Sequence, residues 1–181
     1  MRIIGGLKKG LKLSPLNAKN TRPTMDRTRE DIMNIIMHSG FKDYLIGKNV
    51  ADVFAGTGAV GLEMISRGAS SCTFFENNKD ALTTLKQNIQ KTGFTDTNIQ
   101  MDATKIKTNT SFDLIFMDAP YELGLTEKAI ASLLNNNCIT NNTLLIIQVG
   151  KEEDFPSVDN FEIIKEKTAG GGKVAFLTHK P

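Results

Sequence analysis

Cysteine is scarce in this chain: Cys72 and Cys138 are the only two in 181 residues, and they lie far apart without metal-ligand spacing. A disulfide framework or zinc site has little basis there, and two buried thiols in a reducing compartment are expected. No apolar run approaches the roughly 18 residues that a membrane-spanning helix needs. The opening MRIIGGLKKGLKL also lacks the apolar segment of about 7 to 15 residues that marks a secretory signal. The chain is therefore expected in the cytoplasm. His38 and His179 are isolated and read as incidental, and neither an internal repeat nor a low-complexity segment is evident.

One absence is local. The first 24 residues hold six bases (Arg2, Lys8, Lys9, Lys12, Lys19 and Arg22) and no acid. The net charge of +2 hides this asymmetry: residues 1–48 carry ten Lys and Arg against four Asp and Glu, and residues 49–181 carry twelve against sixteen. A basic arm on a mildly acidic body points to a phosphate backbone as partner. Charge alone does not separate that reading from a solvated basic run.

What is present fits a single domain, since 181 residues with 40% hydrophobic content suffice for one sizeable core. RIIGGLKKGLKL, broken by Gly5, Gly6 and Gly10, reads as a small twisted hairpin or an arm with exposed bases. After the loop PLNAKNTRPT, Ile32, Ile35, Ile36 and Ser39 fall on one helical face, with Asp26 or Thr28 as caps and Gly40 as the stop. The chain then alternates. VADVF (50–54), CTFFE (72–76), NIQMD (98–102), DLIFMD (113–118) and TLLIIQV (143–149) suit buried strands, and helical stretches lie between them. Such alternation implies a parallel sheet with helices on both faces. The tail, FEIIKEK and then GGGKVAFLTH, reads as an antiparallel edge pair.

The first strand runs into DVFAGTGAVGLE, where Gly56, Gly58 and Gly61 form a G-x-G-x-x-G. Such glycines let the backbone turn sharply beneath a ligand, and the next helix points its amides at whatever binds. Glu76, 18 residues after Gly58, could accept both hydroxyls of a ribose. These features fit a dinucleotide site as well as a nucleoside site. Three acids favour the second. Asp52 would repel a diphosphate but could hold a cationic aminoacyl group. Asp102 could accept from an adenine amine, and Asp118 opens DAPY (118–121) beside the expected switch point of the sheet.

These residues resemble the class I methyltransferases that use S-adenosylmethionine. DVFAGTG is similar to their glycine loop, Glu76 to their ribose acid, and DAPY to the D/N-P-P-Y/F/W signature of enzymes that methylate exocyclic amines of nucleic-acid bases. More narrowly, RIIGG..KG.KL, TRPTMDRTRE, the glycine loop, GLEMISRGA and DAPYE, in that order, resemble the RsmD family, bacterial methyltransferases of guanine N2 in small-subunit (16S) ribosomal RNA. The resemblance spans essentially the whole chain. It implies a Rossmann-like α/β fold with a mostly parallel seven-stranded sheet, an antiparallel C-terminal edge strand and an N-terminal β-hairpin extension. Residues 1–48 would pack as a basic hairpin or arm and helix on a cofactor-binding domain, 49–181. The implied cofactor, S-adenosylmethionine, would lie on Asp52, Ala55, Gly56, Thr57, Gly58, Glu76, Asn77, Asp102, Ala103, Asp118 and Thr24.

The implied catalytic group is Asp118, Ala119, Pro120 and Tyr121. An exocyclic amine is a poor nucleophile until it pyramidalises, and two acceptors on its two protons favour that change. Asp118 and the Ala119 carbonyl would supply them, Pro120 would fix the turn, and the Tyr121 ring would stack on the extruded base. One residue departs from the family pattern: Ala119 stands where the signature has its first Pro, which keeps the carbonyl and loses the fixed φ. Arg2, Lys8, Lys9, Lys12, Arg22 and Arg27 would grip RNA phosphates. The partner implied is small-subunit ribosomal RNA within an assembled or assembling subunit, met by a monomer without metal or membrane. Three rivals stand beside this reading. A DNA amino-methyltransferase would want a target-recognition domain for which 181 residues leave no room. A nicotinamide dehydrogenase leaves DAPY unexplained. A non-catalytic RNA-binding protein has Ala119 as its only support.

Overall fold

The computed structural model describes residues 1–16, 26–120, 124–169 and 172–181. Helix α1 (Asp26–His38) buries Ile32, Met33, Ile35 and Ile36, the stripe its periodicity predicts. Ser39 does not join that stripe: the helix ends at His38 and Ser39 is exposed, its N–H donating to the Ile35 carbonyl at 2.9 Å. From Asn49 onward strand and helix alternate: β1 (Asn49–Val53), α2 (Ala59–Ser66), β2 (Ser71–Phe75), α3 (Lys79–Thr92), β3 (Thr97–Gln100), β4 (Leu114–Met117), α4 (Leu125–Asn135) and β5 (Leu144–Gly150). Helix α3 is closed at both ends by its own sequence. The Asn78 side chain accepts from the Asp80 and Ala81 amides, and Gly93 takes the left-handed turn at φ +69°. The last two strands, β6 (Phe161–Ala169) and β7 (Gly172–His179), form the expected antiparallel pair.

The seven strands make one sheet in the order β3-β2-β1-β4-β5-β7-β6. The pairs from β3 to β5 are parallel, and β7 runs antiparallel between β5 and β6. The inner strands read as unbroken apolar runs because both faces are covered. Val50, Phe74, Phe116 and Ile146 join Ile32, Leu62 and Leu85 of α1, α2 and α3 in one cluster. Val53, Phe75, Ile115 and Ile147 join Ala129, Ile130 and Leu133 of α4 in the other. Both cysteines are free and buried, as expected. No helix among the described residues is long and apolar enough to cross a membrane.

One element departs from expectation. NIQMD is expected to be strand through Asp102, but β3 stops at Gln100, leaving Met101 exposed and Asp102 in the turn beyond. Of the two forms that the N-terminal segment could take, hairpin or arm, it takes the hairpin, and it is docked on α2. Arg2 bridges Lys12, the Ile3 N–H donates to the Leu11 carbonyl at 3.0 Å, and a single 3-10 turn over Gly6–Lys8 makes the tip. Ile3 and Leu13 are buried in the cluster of α1 and α2. The docking is polar as well: the Ile4 and Gly5 amides donate to the Glu63 carboxylate at 2.7 and 2.8 Å, and the Lys8 amide donates to Ser66 Oγ at 3.0 Å.

Candidate active site

Parallel strands leave their carboxyl ends on one edge, and the strand order reverses between β1 and β4, so a crevice opens where those two strands end. The glycine loop leaves β1 at this point. Phe54 (φ +64°), Gly56 (φ +55°) and Gly58 (φ +76°) all lie in the left-handed region. For Phe54 that conformation is strained, at a cost of about 1–3 kcal/mol. Gly61 is required by crowding: a Cβ there would run into Phe74 and, at 2.7 Å, the Cys72 sulfur, so it seats α2 against β2. At Gly58 a Cβ would meet the end of the Leu85 side chain of α3, and the positive φ is what favours glycine. Gly56 differs: among the described residues nothing lies within 4 Å of where its Cβ would point.

The loop is held from below. Glu76, the first residue after β2, accepts from the Gly56 amide at 2.7 Å through one oxygen and from the Asn77 and Asn78 amides at 2.9 and 2.8 Å through the other. Asn88, fully buried on α3, donates to the Thr57 carbonyl at 2.9 Å and pairs with both backbone groups of Ser14, at 2.7 and 3.1 Å. That one amide ties the glycine loop to the chain leaving the hairpin.

The acids differ in state. Asp52, 2% exposed on β1, accepts from the Gly61 amide in the first turn of α2 at 2.8 Å. Burial pushes its carboxyl up to about 8, against the pull of that hydrogen bond, and the charges of Asp118 and Glu76 add to the rise. Asp102 is held below the usual carboxylate range, first by the Thr104 hydroxyl at 2.8 Å and then by the Thr104 amide at 2.9 Å. Ala103 beside it is buried, while Ala55 is half-buried and Asn77 exposed. Asp118 is the first residue after β4, half-buried, with its N–H 3.4 Å from the Val53 carbonyl. Ala119 is buried and Pro120 exposed. Tyr121, Thr24 and Arg22, named from the sequence, lie outside the described residues.

Next to Ala119 and Pro120 is a cavity of about 360 Å³, walled by Leu125 and Glu127 of α4, Gln148 of β5, and Glu153 and Asp154 beyond it. Its acidic lining disfavours a phosphate and favours a group rich in donors. Gln148 is 8% exposed, and its Oε1 has no hydrogen-bond partner among the described residues. Sequence reading passed over this residue, although it is the one polar side chain in the run LLIIQV.

Arg2, Lys8, Lys9, Lys12 and Arg27 are all exposed, the first four on the hairpin, whose tip also presents Leu7 at 83% exposure. Two residues beneath them were also missed. Arg29 is completely buried and donates to the Arg2 carbonyl at 2.6 Å and to Asp26 at 2.9 Å. Glu63, equally buried, meets the Arg67 guanidinium at 2.7 Å and that of Arg29 at 3.8 Å. A sequence signal existed for Arg29, which precedes Ile32, Met33 and Ile36 by the helical spacing of the buried face.

The family described as "Conserved hypothetical protein 95" matches residues 1–178. The protein named "Ribosomal RNA small subunit methyltransferase D" of Haemophilus influenzae is 34% identical over 177 residues, covering 94% of this chain and 89% of that protein. Its namesake in Escherichia coli K12 is 31% identical over 184 residues, covering 99% and 89%. Two solved structures share the fold over nearly the whole chain. One, from Escherichia coli, has TM-score 0.84 at 28% identity and covers 99% of this chain and 98% of its own. The other, from Haemophilus influenzae, has TM-score 0.78 at 31% identity and covers 98% and 97%.

Proposed function

We propose, from the premise that this chain belongs to the RsmD family, that it methylates ribosomal RNA of the small subunit, at the exocyclic N2 amine of a guanine, with S-adenosylmethionine as donor. The observation that carries the reading is the juxtaposition of Asp118, Ala119 and Pro120 with the glycine loop at the switch point, beside an acidic cavity.

The residues present fit the cofactor: among the described residues the Gly56 turn is open where a Cβ would stand, and Asp102 is kept charged. When bound, that cofactor supplies an electrophilic methyl group on a sulfonium. Gly56, Thr57 and Gly58 line its seat with Ala55, Glu76 and Asn77 take the ribose, and Asp102 and Ala103 take the adenine. Asp52, buried and raised to about 8, braces the first turn of α2 beneath the cationic amino-acid end rather than meeting it as an exposed carboxylate, and Thr24 helps to seat that end. Asp118 and the Ala119 carbonyl accept hydrogen bonds from the two N–H groups of the target amine, and these bonds gain strength as positive charge grows on nitrogen. Groups preorganised in this way are typically worth about 2.7–4 kcal/mol each. Pro120 stiffens the turn and Tyr121 stacks on the base. Arg2, Lys8, Lys9, Lys12, Arg22 and Arg27 hold phosphates, while the carboxylates of Glu127 and Asp154 keep phosphates out of the cavity.

Asp118→Asn tests the assignment. The reading expects turnover to fall by at least about a hundredfold with cofactor binding by calorimetry retained. Undiminished turnover in that variant would remove Asp118 from the reaction.

A further inference from the structure

Gln148 is the residue of this site whose state is unexplained. A carboxamide oxygen more than nine-tenths buried, with no partner among the described residues, carries a desolvation cost that native interiors ordinarily avoid. Its place is informative. Met117 of β4 lies opposite Ile147 of β5, so Gln148 follows on β5 where Asp118 follows on β4, and Gln148 and Ala119 wall the same cavity.

We propose that the Gln148 carboxamide, whose Oε1 is covered in the ligand-free molecule, turns that oxygen into the cavity and reads the target base by accepting its N1–H, making Gln148 a specificity-determining residue for guanine. This rests on the reading of the site as a guanine-N2 methyltransferase. In guanine the ring nitrogen beside the reactive amine carries a hydrogen and donates. In adenine and cytosine the ring nitrogen beside the amine carries a lone pair and accepts. With the amine held at Asp118 and the Ala119 carbonyl, an acceptor at Gln148 completes a row of acceptors against a row of guanine donors. The same acceptor would face a lone pair on either competing base. The carboxylates of Glu127, Glu153 and Asp154 around the cavity bias it further towards a donor edge.

The test uses 2-aminopurine, which keeps the N2 amine and lacks the N1 hydrogen. Small subunits are reconstituted with ribosomal RNA carrying guanine or 2-aminopurine at the position that the wild-type protein labels. Sites built around one hydrogen bond discriminate steeply, so wild-type kcat/KM should favour guanine by at least about a hundredfold. Gln148→Met should reduce that preference to about tenfold or less through loss on guanine, and Gln148→Glu, which retains an acceptor, should keep most of it. Both variants should bind cofactor as the wild type does. A wild-type ratio near one overturns the proposal without any variant, and so does an unchanged ratio in Gln148→Met. If the wild type labels no guanine at all, the functional reading fails first and takes this inference with it.

Discussion

Asp52 is buried, accepts one backbone amide, and titrates near 8 rather than at the ordinary value of 3.8. A carboxyl raised on folding binds its proton more tightly in the native state, so its contribution is fully present below about pH 4 and is lost as pH rises towards 8. Asp52→Asn keeps an acceptor for Gly61 and cannot ionise. It should match the wild type near pH 4 and exceed it in stability by a growing margin up to about pH 8, reaching a few kcal/mol. Equal urea midpoints at pH 5 and pH 8 would show that Asp52 is not desolvated as described. A similar cost sits at Gln148, where a buried acceptor with no partner among the described residues is worth about 1–3 kcal/mol of lost stability. Gln148→Met should therefore raise the melting temperature by a few degrees, and a fall would mean that the carboxamide is structurally satisfied.

At the scale of elements, the hairpin is fixed by a charge buried under it. Glu63 takes two hairpin amides, and its charge is balanced by Arg67 and Arg29, the latter holding the Arg2 carbonyl as well. Removing one member of a buried ion cluster leaves the others uncompensated, typically at a cost of about 3–5 kcal/mol. Glu63→Gln should lose about that much in urea unfolding and free the hairpin to amide exchange; a loss under about 1 kcal/mol would leave the apolar seats of Ile3 and Leu13 as the real anchor. The hairpin's outward side has a different role. Lys8→Glu with Lys9→Glu should weaken binding to small subunits and flatten its dependence on salt, with cofactor affinity unchanged. This double variant binding with an unaltered salt slope would take the hairpin out of the RNA interface.

For the whole molecule, the alternation of apolar runs and amphipathic helices made the parallel sheet legible, because strands covered on both faces cannot hide their composition. The tail pair and the glycine loop were legible for equally local reasons, Gly56 needing φ +55° and Gly61 needing to lie against Phe74. What local reading missed depends on distance. Glu63 reaches Ile4 across 59 positions and Asn88 reaches Ser14 across 74, so the residues that hold the RIIGG hairpin in place were not legible locally. Asp102 was read as ending a strand because IQM continues an apolar pattern that the turn at Thr104 interrupts. Gln148 was overlooked because only the cavity beside it gives a polar residue in an apolar strand a meaning.

The central claim, methyl transfer to guanine N2 in small-subunit RNA through Asp118, is met most directly by one measurement. Labelled methyl from S-adenosylmethionine would be followed into small subunits purified from cells lacking this gene, with naked ribosomal RNA and duplex DNA alongside. Label recovered as N2-methylguanine from the subunits, and lost with Asp118→Asn, is the result expected. Label in DNA alone, or none in any substrate while cofactor still binds, would contradict it.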